Sequence, residues 1–125
     1  AAFLKTADGE NLLQGFKRAN NIVTQAEEND GVEYSYGADI KFAETDEERA
    51  LFAVLETNEP VIKNAIHAQD FTLAMESLAS LRAPVDGFFE AVQVNTYNQA
   101  VRRNRLNLLS QMRSVCLMVA DLSRI

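Results

Sequence analysis

The side chains with most to offer a partner are guanidinium groups. Arg102, Arg103 and Arg105 lie together in the run VRRNRLNLL. Arginine's planar fork matches the oxygens of phosphate or carboxylate, and a helix starting just before these residues adds free backbone amides that favour anions. Arg102 and Arg103 are therefore the candidates for nucleic-acid phosphate. Arg105 poses a different problem. At about 100° per residue it points into the apolar arc between Leu109 and Met112, where a charge persists only beside a partner. The ordinary solution is an ion pair with Asp86 or Glu90 from the preceding short helix; the functional one is a phosphate shared with Arg102 and Arg103.

No catalytic constellation accompanies these cations. A nucleophile needs an adjacent base, and His67, the only histidine, has no serine or cysteine at a suggestive spacing. It also lacks a second histidine or nearby cysteine, so a metal site has nothing to build on. The five glycines form no phosphate-cradling loop of the G-x-x-x-x-G-K-[ST] type, which argues against ATP binding by this chain. The carboxylates at Glu27 and Glu28, and at Asp46, Glu47 and Glu48, suit surface and helix-cap positions. Cys116 cannot form an internal disulfide; on an apolar helix face it reads as a buried structural thiol, which suits a reducing cytoplasm.

The elements that must position these groups are helical. Leu12, Phe16, Ala19, Val23 and Ala26 recur at the helical period, predicting a first helix over about residues 10–27 with Asp8 as its cap. Residues 28–42 read as an acidic loop with two glycines and an alternating Val32, Tyr34, Tyr36. Base stacking on either tyrosine is opposed by the carboxylates around them. Thr45 and Glu48 have capping-box spacing and open a second helix carrying Leu51, Val54, Leu55, Ile62 and Ile66. Within it Pro60 removes an amide donor, so a kink or break is expected near residues 57–59. Asp70 opens a third helix, with Phe71, Ala74, Met75, Leu78 and Leu81 inward, ending at Arg82 and Ala83 because Pro84 follows. A fourth, short helix presents Val85, Phe88, Phe89 and Val92, and its paired phenylalanines are expected at the centre of the core. Asn98 caps the last helix, whose buried face is Leu108, Leu109, Met112, Val115, Cys116, Val119 and Leu122, with Arg102 and Arg113 at its edge.

A chain of 125 residues with 47% hydrophobic content suits one core. Its longest apolar run, VCLMVA, is far too short to span a bilayer. The N-terminus AAFLKTADGE lacks an initiator methionine, a basic region and an apolar stretch, so the chain reads as a fragment of something longer rather than a start with a leader. A net charge of −6 opposes nucleic-acid binding, but the acid is uneven. Residues 26–60 hold 11 acidic and 2 basic side chains, while the last helix brings Arg102, Arg103, Arg105, Arg113 and Arg124 against Asp121 alone. One face can therefore attract RNA while the rest repels it.

The run AMESLASLRAPVDGFFEAVQV, then VRRNRLNLL and finally VADLSRI, resembles the C-terminal end of the bacterial glycyl-tRNA synthetase beta subunit. Upstream, FLKTADGENLLQGFKRANNIV resembles the segment that precedes it, so the likeness spans nearly the whole chain. The wording departs from the family's after FFEAV and across residues 27–44. The resemblance implies an all-α bundle of about five helices over residues 1–125, an anticodon-binding domain of the type that arginyl-tRNA synthetases also carry. It implies a cytoplasmic ligase in which ATP and Mg serve activation elsewhere, through an alpha subunit, while this part meets tRNA(Gly) and the remainder of its own subunit.

Anticodon reading requires a single-stranded loop held by its phosphates and contacted on its base edges. The glycine code places cytosine at the second and third anticodon positions, and cytosine's pairing edge has one amino donor and two acceptors. Amides and guanidiniums donate to those acceptors, and a carboxylate accepts from the amine. Gln93, Asn95, Tyr97 and Asn98 in the connection, with Arg102, Arg103 and Asn104 after it, are the expected patch. Lys17 and Arg18 sit in a polar cluster with Asn20 and Asn21. Its ordinary reading is wet surface, and the resemblance adds an approach to tRNA or to another part of the subunit. The competing function is a helical scaffold that packs on the rest of the synthetase and touches RNA little.

Overall fold

The computed structural model describes residues 7–123, with side chains over 10–119. The first helix already includes Ala7 and runs to Asp30, so Asp8 lies inside it rather than at its cap. The side chains of Asp121, Leu122 and Arg124 lie outside the described range. The fold is all-α. Among the described residues five α-helices follow in order: α1 (Ala7–Asp30), α2 (Asp46–His67), α3 (Phe71–Ala79), α4 (Arg82–Ala91) and α5 (Gln99–Ser123), with a 3-10 turn (Ile40–Phe42) between the first two. Among the described residues no helix is long and apolar enough to cross a membrane.

Each helix is bounded by local chemistry. Gly31 stands in the left-handed region at φ 69° and closes α1, its amide donating to Glu27 O. The Thr45 hydroxyl accepts from the Glu48 amide while the Glu48 carboxylate accepts from Thr45 N–H, forming the expected capping box. Asp70 caps α3 through Leu73 N–H, and Asn98 caps α5 through Ala100 and Val101 N–H. The end of α2 is less usual: Asp70 N–H donates to Ala65 O and Gln69 N–H to Ile66 O, a Schellman arrangement that holds Gln69 at φ 60°.

Three further expectations about the helices change. Pro60 breaks nothing, because α2 runs unbroken from Asp46 to His67. Its exposed position leaves the deprived carbonyl of Glu56 within reach of water. Phe71 is 47% exposed rather than inward, since it occupies the first position of α3, before the helix turns its apolar side to the core. That helix also stops at Ala79, capped by Ser80, ahead of Arg82.

The core gathers around α5, which packs against α1, α2 and α3. All seven residues from Asn104 to Ser110 are buried, so α5 is enclosed there on every side and not only along the apolar stripe. Leu106, Leu108, Leu109 and Met112 meet Leu51, Leu55 and Ile62 of α2, Val23 of α1 and Phe88 of α4 in one cluster. Phe88 is fully buried, worth on the order of 1.5–3 kcal/mol, while Phe89 beside it is half-buried and meets it edge-on at 5.7 Å. Gly15 lets α1 and α4 approach closely: a Cβ there would lie 2.9 Å from Val85 Cγ1. Burial pushes the Cys116 thiol up to about 12, in keeping with a structural role.

Candidate nucleic-acid interface

Arg105 is 7% exposed, and the carboxylate that meets it is Glu48 of α2, itself 0% exposed. Arg105 Nε donates to Glu48 Oε1 at 2.7 Å and Nη2 to Oε2 at 3.3 Å, while Nη1 donates to the backbone carbonyl of Gln93 at 2.6 Å. Glu44 adds a second carboxylate at 3.5 Å. The expected Arg105–Asp86 pair is thus corrected. Asp86 instead faces Arg82 one turn back on α4, at 3.3 Å, and Glu90 is exposed. The cause is topological: α2 crosses the buried stretch of α5, and its first turn delivers Glu48 to the guanidinium. Burial pulls the Glu48 carboxyl upward, but hydrogen bonds from Arg105, Thr45 and Glu44 N–H outweigh it and hold the group below the usual carboxylate range. The signal was present in the capping box, although a capping glutamate does not announce a second partner.

Arg102 is also engaged. Its Nη1 donates to Asp30 Oδ2 at 2.8 Å and to Tyr34 Oη at 3.3 Å, and its Nε donates to Asn95 Oδ1 at 3.1 Å. Tyr34 is buried and donates its own hydroxyl to Asp30. Hydrogen bonds from Tyr34 and then Arg102 lower the Asp30 carboxyl, while burial and then the bond to Asp30 raise the Tyr34 phenol. Together these groups pin the end of α1, the acidic loop and the connection before α5. The loop is tied down further along as well: Asp39 N–H donates to Asn104 Oδ1 at 2.7 Å and Ala38 N–H to Gln111 Oε1 at 3.3 Å. Asn104 is 6% exposed, which leaves it no reach to a base. Sequence reasoning missed these anchors because polar residues facing a loop look the same as polar residues facing a ligand.

The remaining candidates are open. Arg103 and Lys17 are exposed, and Tyr97 is 103% exposed, with nothing over its ring. Arg113, by contrast, donates to Asn20 and faces Glu27 at 3.9 Å. Arg18 lays its guanidinium over Phe89, 4.6 Å from the ring centroid. Beside it runs a groove of about 490 Å³ between α1 and the end of α4, lined by Arg18, Ile22, Phe89, Glu90, Gln93 and Asn95 among others. The fold therefore brings Arg18 to Gln93 and Asn95, which the sequence separates. Asn98 is used as a cap, and its amide oxygen is occupied. Among the described residues no His, Cys, Asp or Glu side chains gather as metal ligands would.

Set beside known proteins, residues 12–119 match the DALR anticodon binding domain family. The chain is 74% identical over 122 residues to the glycine--tRNA ligase beta subunit of Dinoroseobacter shibae, covering 98% of this chain and 17% of that protein. It is 69% identical over 123 residues to the same-named subunit of a Ruegeria species, at 98% and 18% coverage. Against that of Rhodospirillum centenum it is 45% identical over 126 residues, at 100% and 18%. The chain thus spans less than a fifth of the length of these relatives.

Proposed function

The chain belongs to the DALR anticodon-binding domain family, and from that membership we propose that it is the anticodon-contacting part of a glycine–tRNA ligase beta subunit. In this reading the domain performs no chemistry on glycine. ATP and Mg serve activation elsewhere in the parent enzyme, with an alpha subunit as partner and the cytoplasm as compartment, and this domain holds the anticodon loop of tRNA(Gly).

The observation that carries the proposal is a family match over residues 12–119, nearly the whole described fold. Geometry narrows the contacting set. Lys17, Arg18, Gln93, Asn95, Tyr97 and Arg103 are exposed, and in this reading they are the residues that meet the anticodon loop. Arg102 and Asn104, turned inward, act as supports, and Asn98 keeps its cap. Removing the domain from the full ligase should lower kcat/KM for tRNA(Gly) while glycine-dependent ATP–pyrophosphate exchange stays intact. Aminoacylation unchanged by the removal would refute the reading.

One observation favours a scaffold instead: Arg102, Arg105 and Arg113 of α5 all meet carboxylates within the fold. If scaffolding is the whole role, Arg18→Ala and Arg103→Ala together leave aminoacylation and tRNA affinity at the wild-type level.

A further inference from the structure

We infer that the groove between α1 and the end of α4 is a pocket for one unstacked cytosine, an assignment that rests on the anticodon-binding reading above. Its volume, about 490 Å³, lies within the roughly 300–1,000 Å³ of small-molecule pockets in general, so a single base has room to enter. Arg18 supplies the stacking surface. Its guanidinium rests on Phe89 at 4.6 Å, and because the residue is exposed its other planar face is free for a base, a surface that single-stranded RNA uses readily.

The polar lining sets which base. Arg102 Nε carries a proton and has no acceptor lone pair, so the Asn95 atom it meets at 3.1 Å is the amide oxygen. That bond fixes the amide and leaves its two N–H groups as what Asn95 offers the groove. Gln93 offers an amide that can turn either way. Glu90, exposed and acidic, is unsuited to phosphate and suited to an exocyclic amine. Cytosine presents an amine beside a ring nitrogen that accepts and a carbonyl that accepts. Its amine donates to Glu90, and Asn95 and Gln93 donate to its acceptors. Uracil reverses two of these groups: its O4 would face the Glu90 carboxylate and its N3–H would face the Asn95 N–H groups. Arg102 is then a positioning residue, acting through Asn95.

The test uses the full ligase and tRNA(Gly) transcripts in which either anticodon cytosine is changed to uracil, with dissociation constants measured at one salt concentration. Wild type should prefer cytosine by about tenfold at one of the two positions. Glu90→Gln gives the carboxylate site donors, and Asn95→Asp turns the donor into an acceptor while keeping an oxygen for Arg102. Each single change should weaken the preference. The double change should favour uracil at that same position, with the other position unaffected. A double variant whose preference does not move toward uracil overturns the pocket, leaving the anticodon-binding reading intact if wild type still discriminates. Wild-type ligase that binds all transcripts equally overturns base reading itself, and the pocket with it.

Discussion

Arg105 Nε lies 2.7 Å from Glu48 Oε1, although 57 positions separate the two residues. Glu48 thereby holds two structures at once, closing the first turn of α2 with Thr45 and tying α2 to α5 through the guanidinium. A buried pair of this kind is weak evidence of net stability, because the cost of desolvating both charges offsets their attraction.

Breaking the pair from one side should be costly. Arg105→Met leaves a buried carboxylate without its cation, a loss of about 3–5 kcal/mol. Glu48→Gln in the same background removes the stranded charge and should restore part of it. Urea denaturation of the two variants and wild type measures both steps. A single-variant loss below about 1 kcal/mol would show that the pair behaves as if exposed.

The same carboxylate predicts an acid limb. Glu48 ionises below the usual range in the folded state, so its contribution is full above the unfolded value of about 4.3 and is lost as pH falls through the lower folded value. Asp30, also lowered, acts in the same direction. Unfolding free energy measured between pH 6 and pH 3 should fall, and Glu48→Gln should make the fall shallower from a lower starting level. An identical slope in the variant would place the proton uptake elsewhere.

Arg102 and Arg103, adjacent in sequence, should separate in a salt titration. Arg103→Ala should reduce the slope of log affinity against log salt by about 0.7 for a single-stranded contact. Arg102→Ala should leave that slope alone. It should instead lower thermal stability and cytosine discrimination, because Arg102 is bound to Asp30 and Asn95. Equal slopes for Arg103→Ala and wild type would remove Arg103 from the contact surface.

Gln69 carries a conformation better suited to glycine. At φ 60° it completes the turn from α2 to α3, where an L-residue costs roughly 1–2 kcal/mol. Gln69→Gly relieves this, less the roughly 0.5–1 kcal/mol of added freedom in the unfolded chain. The net expectation is a gain of up to about 1 kcal/mol, read as a higher urea midpoint at constant m-value. A lower midpoint would contradict it.

Much of the fold was legible because its causes are local. The capping oxygens of Thr45, Asp70 and Asn98 lie two or three residues from the amides they serve. The apolar stripe of α5 from Leu108 to Val119 follows from spacing, whereas the burial of Asn104, Leu106, Asn107 and Ser110 does not. Arg105 marks the boundary of that legibility. Its need for a carboxylate could be read from its place in an apolar arc, but the choice of Glu48 over Asp86 depends on which helix crosses α5. The candidate surface divides in the same way. Arg18 and Asn95 were legible as polar and came together only through the approach of α1 to α4 at Gly15. Asn104 and Arg102 turned inward because the acidic loop, silent in periodicity, folds back on α5 and claims them.

Arg105 reaches the connection through the carbonyl of Gln93, an atom that every amino acid possesses. Substitution at position 93 therefore leaves the mooring of the segment in place while altering what it displays. The exposed side chain is free to drift, or to be redesigned, over a foundation that does not notice the exchange.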